Sequence, residues 1–210
     1  MASSSIVTGA YDLGSRGLYA QATRYKDAVM VHIREMTRND NGHLRFTKKG
    51  LALTESEWTC LKDSVPFVND ALVAYQGGKT GTSYKTIGDR GRRITIKEFQ
   101  KRAYVDIRNY FDKDNNNVLV PTHRGAVLTP DAWNELCDAM ILLDDDIVKI
   151  REDMDSRAAR KRSQDDRRRQ LVKAREAASA DAAATADASE PSRKHPTIEE
   201  SQEIPLLMDL

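Results

Sequence analysis

The apolar positions of this chain change period twice, in the same way each time. Val29, Val31 and Ile33 alternate with polar residues, and so do Val105 and Ile107 farther along. A period of two marks strands with one buried face. Leu18 to Ala22 and Ile94 to Ile96 read as short alternating strands, each following a Gly turn. The period then lengthens. Trp58, Leu61, Val65, Val68 and Leu72 fall on one helical face, as do Trp133, Leu136, Met140, Ile147 and Ile150. Each helix carries a start signal. Thr54 and Glu57 form a capping-box pattern, in which each side chain answers the other's free backbone N–H. Thr129 is followed by Pro130, the residue type favoured at the first helical position. Pro66 lies inside the first helical pattern and predicts a kink or break there.

These patterns belong to an internal repeat. Leu13-Gly-Ser-Arg-Gly17 recurs as Ile87-Gly-Asp-Arg-Gly91, and Val31-His-Ile-Arg34 as Val105-Asp-Ile-Arg108, both at an offset of 74. Gly50, Leu53, Thr54, Trp58 and Leu61 recur at an offset of 75 as Gly125, Leu128, Thr129, Trp133 and Leu136. The extra residue falls within the polar runs Arg38 to Gly42 and Asp112 to Asn117, which are therefore expected to be hairpin turns. The expected organisation is a first unit over 11–75, a Gly-rich linker from Gln76 to Ser83, a second unit over 84–154 and an extension over 155–210. Each unit reads as strands followed by one helix, an α+β class. The extension is dense in Arg and Lys from Arg157 to Arg175, then rich in Ala, Ser and Asp to Ser189. That composition suits a solvated helix fraying into disorder. The acidic end with its apolar tip, Ile204 to Leu210, reads equally as a docking peptide or as a frayed terminus.

Composition alone narrows little. Lys and Arg number 33 against 32 Asp and Glu, a net charge of +1, so only the distribution of charge is informative. Two cysteines, Cys60 and Cys137, exclude a disulfide framework and suit a reducing compartment. No apolar run reaches membrane-spanning length and the N-terminus lacks a basic-then-apolar signal, so a soluble intracellular protein is expected, with no membrane partner.

The distribution is segregated. Tyr11 to Gly50 holds eight Lys/Arg against four Asp/Glu, and Tyr84 to Gly125 holds ten against five. Leu51 to Tyr75 holds one against four, and Ala126 to Ile150 one against six. The strand regions are basic and the helices acidic. Glu55, Glu57 and Asp131 complement a helix N-terminus, but no such local reason accounts for the basic strands. Basic sheets carrying exposed aromatic rings suit single-stranded nucleic acid: cations follow the phosphates and rings stack on unpaired bases. Tyr25 lies beside Lys26, and Phe99 lies between Lys97 and Lys101-Arg102. A solvated strand face is the alternative that these residues leave open.

The runs Tyr19 to Glu35 and Ile94 to Phe111, with Lys48 to Trp58 and Arg124 to Trp133, resemble the core of the eukaryotic transcriptional coactivator called positive cofactor four. The resemblance covers Tyr11 to about Tyr75 and Tyr84 to about Ile150. It implies two units, each a curved four-stranded antiparallel sheet followed by a helix, plus the charged extension. It also implies dimerisation through the helices, binding of single-stranded or melted DNA in the sheet channels, transcription or replication proteins as partners, and a nuclear location. Carried over by position, the stacking rings are Tyr25 and Phe99, with a second ring at Phe111. The phosphate-contacting cations are Lys26, Arg34, Arg45, Lys48 and Lys49, then Lys97, Arg102, Arg108 and Arg124. The counterpart of Phe111 in the first copy is Thr37, so a stacking platform is missing there. Simple alternation puts Phe111 on the same face as Ile107, so its exposure requires a bulge or strand curvature. Copy one also has Ala28, and copy two Gln100, Val120 and His123, at places where the family is basic. Two tethered copies reach an effective concentration of about millimolar, so they can form an intrachain pseudo-dimer; a homodimer with pairing between chains is the alternative, and the sequence does not decide between them.

Other signals carry no chemistry. Gly77-Gly-Lys-Thr80 lacks the first Gly of a phosphate-binding loop, since Val73 stands there. Asp112 to Asn117 begins like a calcium loop, but His123 occupies the place of the bidentate Glu. No histidine has metal-ligand spacing with either cysteine, and no nucleophile–base pair stands out, so neither cofactor nor metal nor catalysis is expected. The resulting expectation is a non-enzymatic single-stranded DNA-binding, coactivator-like protein. The alternatives are replication or repair, RNA as ligand, and a protein-interaction scaffold working through the helices and tail. Arg160 to Arg162 and Arg167 to Arg169 read as an import signal, as further phosphate contacts or as a solvated helix face.

Overall fold

The computed structural model describes residues 8–15, 17–88, 91–113 and 118–187, with side chains to Ser179. It contains two antiparallel sheets of four strands each, both in simple sequential order. The first comprises β1 (Tyr11–Asp12), β2 (Leu18–Tyr25), β3 (Ala28–Arg38) and β4 (Leu44–Thr54). The second comprises β5 (Thr82–Ile87), β6 (Arg92–Phe99), β7 (Arg102–Asp112) and β8 (Leu119–Leu128). The strands read from the alternation are present and extend to the hairpin tips at Tyr25 and Phe99. The linker is shorter than expected, because Gln76 completes a helix and β5 already starts at Thr82.

Helices follow each sheet where the caps place them. Thr54 Oγ1 accepts the Glu57 N–H at 3.3 Å, and Glu57 Oε2 accepts the Thr54 N–H at 2.9 Å, completing the capping box. Pro66 breaks the first helical stretch into α1 (Glu55–Lys62) and α2 (Val65–Gln76). A proline there lacks the N–H that would bond to residue 62, and its ring crowds that carbonyl. Thr129 Oγ1 accepts the Ala132 N–H at 3.2 Å at the start of α3 (Pro130–Asp187). The compact part of the molecule ends at Ala158; from Ala159 the chain forms a separate unit, helical to Asp187, with every described side chain exposed. The basic clusters at Arg160 to Arg162 and Arg167 to Arg169 lie on this exposed helix. The acidic end of the chain lies outside the described residues.

The apolar faces of both sheets and all three helices enclose one continuous core. Trp58 and Trp133 are its largest side chains, both essentially inaccessible. A buried indole N–H needs an acceptor, and each repeat supplies the other's. Trp58 Nε1 donates to Asp144 Oδ1 at 2.7 Å, and Trp133 Nε1 donates to Asn69 Oδ1 at 2.9 Å. Asn69 and Asp144 are themselves 75 residues apart, so the two bonds are related by the repeat. Tyr75 of α2 adds a third tie, its hydroxyl lying between the carbonyl of Gly81 and, at 3.1 Å, that of Ile96 in β6. Within the compact part, the two repeats are packed into one body through their helices.

One further tie breaks the symmetry. Arg92, at the start of β6, is buried and donates through Nη1 to Glu57 Oε2 at 2.8 Å and to the carbonyl of Ala52 at 2.8 Å. The equivalent positions in the other repeat hold Leu18 and Ala132, both buried. An ion pair therefore stands on one side of the seam where an apolar pair stands on the other. Leaving one member of a buried pair uncompensated typically costs about 3–5 kcal/mol, whereas an exposed pair is worth about 0–1 kcal/mol. Glu57→Gln retains a residue suited to the capping box, so its expected loss of several kcal/mol in urea unfolding comes from Arg92. Glu35→Gln, which removes the surface partner of Lys49, should change the midpoint little. Equal midpoints for the two variants would show that the buried pair contributes nothing.

Candidate nucleic-acid interface

The face of each sheet opposite the core is set by strand parity until a bulge intervenes. In the first sheet the register steps from Arg34 opposite Gly50 to Met36 opposite Phe46, so Glu35 alone faces Thr47, Lys48 and Lys49. In the second it steps from Arg108 opposite Gly125 to Tyr110 opposite Pro121, so Asn109 faces Thr122, His123 and Arg124. Both bulges are built alike. The Thr hydroxyl accepts the N–H two residues on, at 3.1 Å for Thr47 with Lys49 and 3.1 Å for Thr122 with Arg124. The Thr carbonyl accepts a guanidinium N–H from the facing strand, at 3.0 Å from Arg34 and 2.7 Å from Arg108. Glycine is required beside each bulge: a Cβ at Gly50 would lie 2.5 Å from Arg34 Cα, and one at Gly125 would lie 2.8 Å from the Ile107 carbonyl oxygen. A bulge re-aims the side chains beyond it. It supplies the departure from alternation that the exposure of Phe111 requires, and Phe111 is exposed.

The hairpin tips carry the two principal rings. Tyr25 and Phe99 end β2 and β6 and are each 61% exposed, far from the core. Phe99 and Arg102 close a two-residue turn whose central residues, Gln100 and Lys101, both have positive φ (50° and 60°). That left-handed geometry matches the strand twist and gives a tight tip that leaves the ring clear. Lys26, also at positive φ, sits 5.6 Å from the Tyr25 ring centroid.

The cations are more divided than a roll of basic residues suggests. Arg45, Lys48, Arg102 and Arg124 are exposed, as is Lys26. Lys49 is exposed but paired with Glu35 at 3.1 Å. Lys97 and Arg108 both engage the buried carboxylate of Asp106, at 2.8 Å and 3.1 Å. Arg34 occupies the place equivalent to Arg108, but the place equivalent to Asp106 is His32. Arg34, Lys48 and Arg124 line one cleft between β4 and the second sheet. Arg102 instead lines a larger cleft of about 620 Å³ with Lys79, Lys101 and Glu98.

Parity reasoning overlooked several residues. Phe46, 42% exposed, stacks on the His32 ring at a centroid distance of 4.6 Å with the Arg34 guanidinium 5.9 Å away. It gives the first sheet a ring beyond the bulge although Thr37 is not aromatic. Its signal was present: Phe46 lies between Arg45 and Lys48, the same ring-among-cations pattern as Phe99. In the second sheet, the Arg93 guanidinium lies 4.6 Å from the Tyr84 ring and 5.1 Å from the Tyr110 ring. Among the described residues, no group of three or more His, Cys, Asp or Glu is arranged to hold a metal. The Cys137 thiol is pushed up to about 11 by burial and by Asp138, so it stays protonated at neutral pH.

His32 carries a pH dependence. Burial, and then the neighbouring Arg34 charge, push its imidazole down from 6.5 to about 4. The ring is neutral in the folded protein, with Nε2 2.9 Å from Thr23 Oγ1. The unfolded chain takes up a proton near pH 6.5, so stability from this group is full above that pH and is lost as pH falls toward 4. His32→Gln should flatten the melting temperature against pH between about 6.5 and 4 relative to the wild type. Parallel curves for the two proteins would remove His32 as the cause.

Two comparisons with known proteins agree with this architecture. The family model described as Transcriptional Coactivator p15 (PC4) matches residues 15–64 and again 88–139. A curated relative, the RNA polymerase II transcriptional coactivator KELP of Arabidopsis thaliana, is 34% identical over 59 residues, covering 28% of this chain and 34% of the relative. The chain thus spans about a third of that relative's length. Each matched segment holds the two bulged strands, the capped helix start and its buried Trp, so the chain carries two tandem domains of the transcriptional coactivator p15 (PC4) type.

Proposed function

We propose that this protein binds single-stranded or melted DNA without catalysing a reaction, and acts as a coactivator-like factor in transcription in the nucleus. The observation that carries the reading is the pair of exposed rings, Tyr25 and Phe99, at equivalent hairpin tips of two sheets whose opposite faces form a common core. An aromatic ring left 61% exposed on a tight turn gains little for folding. Beside cations it offers an unpaired base a stacking surface and its phosphates a counter-charge. Phe46 and Phe111, beyond the bulges, supply further rings, one on each sheet. Arg45, Lys48, Arg102 and Arg124 supply exposed charge, while Lys97 and Arg108 are oriented by Asp106.

The two domains are proposed to work as an intrachain pseudo-dimer, because the helices of one repeat already supply acceptors for the other. Two domains in one body also present two sheet surfaces to one strand. The named role of the Arabidopsis relative supports partners in the transcription machinery. RNA is a competing ligand, because stacking does not distinguish sugars without a contact to the 2′-hydroxyl.

Stacking contributes about 1–3 kcal/mol per base. Phe99→Ala and Tyr25→Ala should each weaken binding of a labelled oligothymidine by about five- to a hundred-fold at fixed salt, with unchanged thermal melting. The duplex of the same length should bind more weakly than the single strand. Unchanged affinity in folded Phe99→Ala protein would remove that ring from the interface. A duplex preference would overturn the single-strand reading.

A further inference from the structure

Two clefts lie where β4 and β8 approach each other, and they are related by the repeat. The first, of about 470 Å³, is lined by Lys48, Gly50 and Ala52 from the first domain and by Arg92, Asn109 and Arg124 from the second, with Arg34 at its edge. The second, of about 280 Å³, is lined by Leu18, Glu35 and Lys49 from the first domain and by His123, Gly125 and Val127 from the second. The offsets of 74 and 75 relate most of the two linings, with Arg34 the exception, since its equivalent Arg108 does not line the second cleft. Arg92 corresponds to Leu18, Asn109 to Glu35, Arg124 to Lys49, and Lys48 to His123.

Three of those four differences make the first cleft more positive. It has Arg for Leu, Asn for Glu, and Lys for His. Arg92 is balanced by Glu57, which sits beneath it at 2.8 Å. Lys48 and Arg124 have no ion-pair partner among the described residues, and Arg34, bonded to the Thr47 carbonyl and lying 5.9 Å from the Phe46 ring, has no carboxylate partner among them either, with its Nε buried and unbonded. Among the described lining residues there is no carboxylate. In the second cleft Lys49 is neutralised by Glu35 at 3.1 Å, while Arg108, the equivalent of Arg34, does not line it and is held by Asp106.

Gathering like charges in one cleft is unfavourable unless an anion enters it. Guanidinium and ammonium groups converging from two strands suit a tetrahedral oxyanion, because the forked donors of Arg reach two of its oxygens while Lys supplies a point charge. A cleft of this size also admits more than a single ion. We propose that the cleft formed by Arg34, Lys48 and Arg124 is a phosphate-group site shared by both domains, and that its repeat-related counterpart at Glu35, Lys49 and His123 is not, so that Lys49, a phosphate contact by the family resemblance, is withdrawn from that role by Glu35. A strand crossing from one domain to the other is then anchored at one seam only, which makes a nearly symmetric body bind in a preferred direction. Use of the site by a strand rests on the single-strand reading above; the site itself does not.

The test uses the full chain and two double variants at exposed positions, Lys48→Ala with Arg124→Ala and Lys49→Ala with His123→Ala. Inorganic pyrophosphate is titrated calorimetrically, and oligothymidine affinity is measured across salt concentrations. The wild type is expected to take one pyrophosphate per chain. The first variant should lose it by ten-fold or more, and the second should retain it. The slope of log affinity against log salt should shrink by about 0.7 in the first variant, one phosphate on a single strand, and stay unchanged in the second. Pyrophosphate binding with that pattern but no oligonucleotide binding would uphold the site, assign it to free phosphate and sink the single-strand reading. Oligonucleotide binding with equal losses in both variants, or no pyrophosphate binding by the wild type, would overturn the one-sided site and leave the single-strand reading standing.

Discussion

Two indole N–H groups decide how this molecule is put together. Each lies in the core, where an unpaired donor costs about 1–3 kcal/mol, and neither finds its acceptor in its own repeat. Trp58 turns to Asp144 and Trp133 to Asn69. A repeat folded alone would leave its Trp donor without that partner and its helix face open. Exchange of acceptors thus couples the two domains at the level of folding. The same body brings β4 and β8 beside each other at the seam.

A body closed by such reciprocal contacts is free to differ elsewhere. In a symmetric assembly of identical units, any change at the seam appears on both sides. Here Leu18 and Ala132 occupy one side while Arg92 and Glu57 occupy the other. An apolar pair and a hydrogen-bonded ion pair are two solutions to the same burial. A mixed pair, Arg with Ala or Leu with Glu, would strand a charge. The outer faces diverge in the same paired way. Thr23 with His32 is a neutral contact, and Lys97 with Asp106 is a charged one. Each substitution at one member of a pair is matched by one at the other, so the sheets keep their shape while their fields differ.

Much of this was legible in the chain because it is local. The capping box at Thr54 and Glu57, the Pro66 break, the strand alternation and the core Trp positions depend on residues within a few places of one another. The bulges were less legible. A register step of two leaves no mark in hydrophobic periodicity, and its devices, Thr47 with Arg34 and Thr122 with Arg108, span separate strands. Phe46 was overlooked for that reason, and the exposure of Phe111 was foreseen only as conditional on such a feature. Contacts across the seam were the least legible, since nothing near Trp58 points to Asp144. Yet the repeat offsets already set Leu18 against Arg92 and Ala132 against Glu57. Two apolar residues becoming two opposite charges is a sign that the positions touch.

The same logic bears on which surface carries specificity. Hairpin-tip rings accept any base, because every base has a π-face. In the proposed single-strand reading they would supply affinity and leave direction undetermined. Direction needs a feature that one domain has and the other lacks, placed where a strand passes between them. The outer face of the second domain holds Lys97 and Arg108 on Asp106, so the field of these two is fixed and partly cancelled. That of the first has neutral His32 at the same place and leaves Arg34 without a carboxylate. The charge asymmetry of the faces and that of the seam therefore point the same way, toward the cleft where Lys48 and Arg124 meet Arg34. In that reading a duplicated fold supplies two equal grips, and the differences between its copies would orient the strand they hold.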